Sequence, residues 1–192
     1  MQTTEQGQRF SPARPAAAPH DFAPRIQALF SRLVESGARY DAAPLYPQES
    51  VETLRAAGLH RLFAPPESGG ESFADARSEN IALLNVLRIV GRADLSLGRI
   101  FEGHVNALKL FAWFASAKPK AKLTLNLRDG AFFGVWATEP PPGVTLTRDG
   151  DGWLLSGAKT FATGAGGHCG ERPMRACSGR SPSVSLAPAF TG

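Results

Sequence analysis

The stretch Ala131–Gly166, AFFGVWATEPPPGVTLTRDGDGWLLSGAKTFATGAG, decides how this chain is read. It opens with a β-rich run, Phe132, Phe133, Val135 and Trp136, and turns sharply at Pro140-Pro141-Pro142-Gly143. A second run, Val144 to Arg148, meets Asp149-Gly150-Asp151-Gly152, and the chain climbs back through Trp153-Leu154-Leu155 and Lys159-Thr160-Phe161. Aspartate–glycine pairs between apolar-alternating runs signal a hairpin, because glycine tolerates the positive φ that such turns need. The stretch therefore predicts antiparallel strands.

Upstream, the apolar period changes to that of helices. Asp21 can cap a helix with Pro24 in its first turn, and Phe22, Ile26, Leu29, Phe30, Leu33 and Val34 recur at helical spacing until Gly37 ends the run. A second helix is expected over Gln48 to Ala57, with Val51 and Leu54 inward and Gly58 as its stop. Gly58 to Gly70 is a connector rich in turn residues. A further helix is expected from about Ala74 to Val90, with Ile81, Leu84 and Leu87 as its apolar face and Gly91 interrupting it. Asp94 or Ser96 can cap the next helix, through about Ala115, on which Leu97, Phe101, His104, Leu108 and Phe111 share a face. Lys118 to Asp129 reads as a polar transition broken by Pro119, and Asp129-Gly130 turns the chain into the first strand. Runs of helices followed by runs of strands argue for separate layers or domains, not for a parallel α/β sheet.

Composition narrows the partners. A chain of 192 residues, 43% hydrophobic, is long enough for one or two domains with ordinary cores. Its net charge of +4 comes from scattered basic residues, whereas a nucleic-acid footprint would cluster them, so no nucleic-acid partner is expected. No apolar run approaches the length of a membrane span, and the first twenty residues lack the apolar core of a secretory signal. The expected location is cytoplasmic, with no membrane partner. Residues 1–20 read as a disordered proline-alanine leader; Arg9 and Arg14 against a single acid make an organelle-targeting segment the alternative.

Several motifs lead nowhere. Cys169 and Cys177 lack the partner spacing of a zinc site or a disulfide framework, and no metal site is expected. Asp149-Gly150-Asp151-Gly152 begins like a calcium loop, but no glutamate closes it at the right distance. Gly164 to Gly167 has no strand–turn–helix context of a dinucleotide fingerprint, and no Ser-His-Asp or Cys-His arrangement is readable.

Two motifs in order carry a resemblance. Trp136-Ala137-Thr138-Glu139-Pro140 with Gly143, and then Leu155-Ser156-Gly157-Ala158-Lys159-Thr160-Phe161-Ala162-Thr163, resemble the flavin-binding middle domain of acyl-CoA dehydrogenases. The family reads Thr/Ser-Glu-Pro-x-x-Gly-Ser at the first and Gly-x-Lys-x-Trp/Phe-x-Thr/Ser at the second. Gly58-Leu59, Phe63-Ala64-Pro65-Pro66-Glu67 and Gly69-Gly70 match a pattern of the family's first domain, which extends the resemblance over most of residues 21–166. The implied fold class is α+β. An N-terminal all-α domain over 21–128 precedes a partial antiparallel β-barrel domain over 129–167, and the family's C-terminal helical bundle has no counterpart. The implied activity is FAD-dependent α,β-dehydrogenation of an acyl-CoA thioester. Its implied partners are acyl-CoA or a related small molecule, an electron-acceptor flavoprotein and, for the complete enzyme, further copies of itself.

The resemblance also assigns cofactor-binding residues. Thr138 would bond the flavin ring edge, Thr163 would reach the ring near N5, and Phe161 would pack on it. Trp136 and Ala137 would offer backbone groups to the pyrimidine end, and Gly143 would let the main chain approach the phosphates. Each has a plainer account: Thr138, Phe161 and Thr163 as strand residues, and Gly143 as a turn glycine after three prolines. Val144 departs from the family, which has a hydroxyl residue near the phosphates. Glu139, inside a Thr-Glu-Pro turn, reads as structural, and the family does not use it as a base. His104 reads as a satisfied core histidine, with a place in an acyl pocket as the alternative.

From about His168 the sequence shows neither period, and 168–192 reads as an unpatterned tail, frame-shifted or truncated, with a natural disordered tail as the alternative. By resemblance the base that removes the α-proton belongs to the bundle that is not found, so no catalytic residue is assigned and the expected chain is incomplete and inactive. The alternatives are a flavin-dependent monooxygenase of the same fold and a non-enzymatic, degenerate gene product.

Overall fold

Apolar residues at steps of three and four along residues 95–114 make the longest helix, and the rest of the core forms on it. The computed structural model describes residues 22–42, 45–135, 138–160, 163–164, 168–169, 172–173 and 184–186. Its helices are α1 (Ala23–Gln27), α2 (Phe30–Ala42), α3 (Gln48–Ala56), α4 (Ala76–Ala93), α5 (Leu95–Phe114) and α6 (Ala117–Arg128). Short 3-10 turns at Leu59–Arg61 and Pro66–Ser68 fill the connector between α3 and α4. The fold is α+β, with the helices first. One core cluster joins Ile26, Leu33, Val51, Leu54, Val86, Val90, Leu97, Phe101 and Phe132; a second joins Ala64, Leu108, Leu123 and Leu127.

Local chemistry sets the helix ends. Asp75 and Ser78 form a capping box at the start of α4, each side chain bonding the other's backbone N–H. Asp94, in extended conformation, ends α4, and its Oδ1 accepts the Leu97 N–H at 3.0 Å to begin α5. Gly58, at φ 73°, stops α3 as the sequence predicts.

Expectations need correction at four elements. Gly37 does not end a helix: the chain breaks at Ala28–Leu29, and α2 then runs through Gly37 to Ala42. A Cβ on Gly37 would lie 3.1 Å from the Asp94 Cβ, so the glycine makes room for the α4–α5 junction. Gly91 likewise does not interrupt α4. It marks where α4 meets α5, since a Cβ on Gly98 would sit 2.9 Å from the Gly91 Cα. The face of α4 that enters the core carries Leu83, Val86, Leu87 and Val90, while Ile81 and Leu84 are 51% and 57% exposed. At about 100° per residue those two lie well round the helix from Val90. The cap predicted at Asp21 lies outside the described residues.

The third correction is α6. Residues 118–129 hold a helix because Pro119 falls in its first turn, where its missing N–H costs nothing. Leu123 and Leu127, one turn apart, are buried beneath it. α6 ends in a Schellman motif: the Ala131 N–H bonds Asn126 O at 2.9 Å, the Gly130 N–H bonds Leu127 O at 3.1 Å, and Gly130 has φ 78°.

The fourth concerns the opening of the decisive stretch. Residues 131–135 take no strand assignment, and Phe132 and Phe133 both pack on the helical core. Strand formation begins at Thr145. β1 (Thr145–Asp149) and β2 (Gly152–Ser156) form the predicted antiparallel hairpin, with Thr145 opposite Ser156 and Asp149 opposite Gly152. Gly150, at φ 56°, makes its turn. The run Val184-Ser185-Leu186, too short to register as a period, adds β5 (Val184–Leu186) to the other edge of β2. β3 (His168–Cys169) pairs with β4 (Arg172–Pro173).

Candidate functional site

The two resemblance motifs meet across the base of the hairpin. The Thr160 N–H donates to Thr138 O at 2.9 Å. One step on, the Lys159 ammonium lies 2.5 Å from Glu139 Oε2. Then Gly157, at φ 135°, passes so close to the other strand that a Cβ there would lie 2.6 Å from Gly143 O and 2.8 Å from the Val144 Cα. Glycine is required at that crossing, for space and for φ. From the Thr138–Thr160 rung to the Thr145–Ser156 pair, the first motif advances by seven residues and the second by four. The surplus loops out as the turn Pro140–Gly143, closed by the Gly143 N–H on Pro140 O at 2.8 Å.

Glu139 organises that turn. Its carboxylate accepts from Lys159, and one of its oxygens would lie 3.4 Å from a Cβ on Gly143. The hydrogen bond and charge of Lys159 hold the carboxyl below the usual range. An ionised, ion-paired carboxylate at an exposed turn is a poor proton acceptor, which agrees with the structural reading of Glu139.

The arrangement fits a flavin unevenly. Thr138 is exposed, with its carbonyl engaged by the Thr160 N–H, and Thr163 is half-buried. The turn is different: the Gly143 N–H is spent on Pro140 O, so it is not offered to a phosphate. With valine at 144 no hydroxyl replaces it. Trp136, Ala137 and Phe161 lie outside the described residues. Among the described residues there is no cluster of His, Cys, Asp and Glu able to hold a metal ion. The motif assigns no role to Gly157 or Lys159, although a glycine just beyond a strand often marks close backbone approach.

His104 is fully buried in the helical domain. Its Nε2–H donates to His60 O at 2.7 Å, and its Nδ1 accepts the Phe133 N–H at 2.9 Å. Burial lowers its pKa to about 4. Both ring nitrogens are satisfied, so the core reading of His104 holds and the acyl-pocket alternative has no free ring nitrogen behind it.

No family model matches the chain. Curated proteins do. A 3-sulfinopropanoyl-CoA desulfinase of Paraburkholderia xenovorans is 29% identical over 139 residues, covering 67% of this chain and 34% of that protein. A probable acyl-CoA dehydrogenase of Mycobacterium bovis is 25% identical over 150 residues, covering 73% of this chain and 37% of that protein. Among solved structures, a nitroalkane oxidase superposes with a TM-score of 0.55 at 16% identity, over 84% of this chain and 40% of that one. The fold is therefore shared well beyond the two short motifs.

The chain resembles acyl-CoA dehydrogenases in sequence, at low identity, and shares its fold with these structures.

A nitrososynthase from Micromonospora carbonacea var. africana agrees, with a TM-score of 0.53 at 21% identity over 77% of this chain and 39% of that one. The chain spans about a third of the length of the curated relatives it matches. No helix among the described residues is long and apolar enough to cross a membrane.

Proposed function

We propose that this chain supplies the helical domain and the first flavin-facing hairpin of an acyl-CoA dehydrogenase-like flavoprotein, with FAD as cofactor and an acyl-CoA thioester or related compound as substrate. The joining of the two motifs at Thr138–Thr160, Glu139–Lys159 and Gly143–Gly157 carries the reading. Bound FAD would supply the hydride acceptor for α,β-dehydrogenation. Thr138 and Thr163 would hold the ring, together with Trp136, Ala137 and Phe161. Pyrophosphate contact through Gly143 requires the turn to give up the bond it makes to itself. No described residue of the hairpin is placed to remove an α-proton, since Glu139 is tied to Lys159. The chain alone therefore binds flavin without turning over thioester.

Adding the purified chain to FAD tests this. Binding is expected to quench flavin fluorescence, without acyl-CoA-dependent bleaching of flavin absorbance. Gly157→Ala, which drives a methyl group into Gly143 O, is expected to abolish quenching while leaving helical circular dichroism unchanged. No quenching by the unaltered chain would defeat the cofactor reading and favour a non-enzymatic product. A second reading is oxygen-using flavin chemistry on the same fold, favoured by structural neighbours that are a nitroalkane oxidase and a nitrososynthase. It is distinguished by rapid reoxidation of reduced, bound flavin in air.

A further inference from the structure

We propose that His104 is a positioning residue for the flavin-facing hairpin, acting through the hydrogen bond that its Nδ1 accepts from the Phe133 N–H. The joint itself stands on geometry in the helical domain; its consequence for flavin rests on the reading above.

A neutral imidazole has one nitrogen that donates and one that accepts, so fixing the donor fixes the acceptor. Nε2–H is committed to His60 O at 2.7 Å, which leaves Nδ1 as a bare lone pair aimed at Phe133, 2.9 Å away. His60 is fixed in turn: its own Nε2–H donates to Leu127 O at 3.0 Å, at the end of α6. The ring of His104 is held between the rings of Phe132, at 4.5 Å, and Phe133, stacked at 5.8 Å with 9° between planes. Three places in the helical domain therefore converge on one backbone amide. That amide belongs to residues 131–135, which lead into the Thr138 motif. Five residues separate Phe133 from Thr138, a reach of at most about 18 Å at full extension, so anchoring one limits the other. An apolar side chain at 104 would fill the same volume and leave the Phe133 N–H buried without its acceptor.

Two amide substitutions separate the bonds. In His104→Asn the amide oxygen falls near the place of Nδ1 and can accept from Phe133. In His104→Gln the amide falls near the place of Nε2 and can donate to His60 O only. Hydrogen exchange of the Phe133 amide in the full chain, normalised to α5, is the first readout. Protection is expected to persist in His104→Asn and to drop about tenfold or more in His104→Gln. The FAD dissociation constant is expected to follow the same order, weakened about tenfold in His104→Gln only. Equal loss in both variants, or full protection in His104→Gln, would overturn the proposal. If neither variant folds, the unaltered chain decides: a scalar coupling across the hydrogen bond between Phe133 ¹⁵N and His104 ¹⁵Nδ1 supports it, and a His104 protonated at Nδ1 defeats it. If the unaltered chain binds no FAD, the cofactor reading fails while amide exchange still settles the joint.

Discussion

In α5 the side chains of Leu97, Phe101, His104 and Leu108 are each 1% exposed or less, whereas every residue of β1 is exposed. The helices hold each other by burying faces. The hairpin is held by its own backbone ladder, by the short β5 along the other edge of β2 and by the junction at its base. So small a sheet is marginal in water, and its geometry depends on what anchors its ends. The anchors here are the Thr138–Thr160 rung, the Gly143–Gly157 crossing and, further back, Phe132 and Phe133 in the helical core. In this chain stability and candidate chemistry thus reside in different regions, and each can be perturbed separately.

The largest contrast comes from truncating one apolar side chain in each region. Phe101→Ala is expected to cost about 3–5 kcal/mol, from lost burial and the cavity left behind. Leu146→Ala, at a position 53% exposed, is expected to change stability by less than about 0.5 kcal/mol. Urea unfolding followed by helical circular dichroism measures both. Comparable losses would show that the hairpin is part of the cooperative core.

Acid should act on the helical region through His104. Burial lowers its folded pKa from 6.5 to about 4, so between those values the unfolded chain binds a proton that the folded chain refuses. Stability is therefore intact above about pH 6.5, falls as pH drops toward 4, and levels off below, a loss of about 3 kcal/mol. Burial also pushes His60 down, which adds loss in the same direction. Unfolding free energies at pH 7 and pH 4.5 are expected to differ more in the native chain than in His104→Gln. Equal differences would remove His104 from the account.

A smaller effect separates two glycines of α5. Gly98→Ala would place a methyl group 2.9 Å from the backbone of α4 at Gly91, whereas a Cβ on Gly103 meets nothing within 4 Å. The first is expected to destabilise by about 1–3 kcal/mol through overpacking. The second is expected to stabilise by up to about 1 kcal/mol through helix propensity. Thermal unfolding of the two variants should shift in opposite directions; a shared direction would mean the helices can slide apart without cost.

These glycines also show what could be read in the sequence. The hairpin, the Gly58 stop, the Asp94 cap and the buried stripe Leu97–Phe101–His104–Leu108 were legible because each depends on neighbours close in sequence. Gly37 and Gly91 were misread as stops because their reason lies on another helix: the Asp94 side chain for one, the α5 backbone for the other. Pro119 looked like a breaker because its place in the first turn is fixed by where α6 begins, which Leu123 and Leu127 decide by burying themselves. Phe132 and Phe133 looked like strand residues because nothing local reveals that His104 accepts an amide hydrogen there. At the candidate site the motifs located the junction. They did not reveal that the turn spends the Gly143 N–H on Pro140 O.

The smallest effect tests whether the junction belongs to the hairpin alone. Lys159 and Glu139 pair at 2.5 Å on the outside of the rung, where water screens the attraction. Lys159→Ala should leave the unfolding midpoint of the helices unchanged, since the Thr138–Thr160 rung and the Gly157 crossing remain. Its effect should be local: without the ammonium, the Glu139 carboxyl, now held below its usual range, should titrate higher by NMR. The Phe133 amide should keep its protection from exchange, since its bond to His104 is untouched. A midpoint shift approaching that of Phe101→Ala would show that hairpin and helices unfold as one unit, and the division drawn between them would fail.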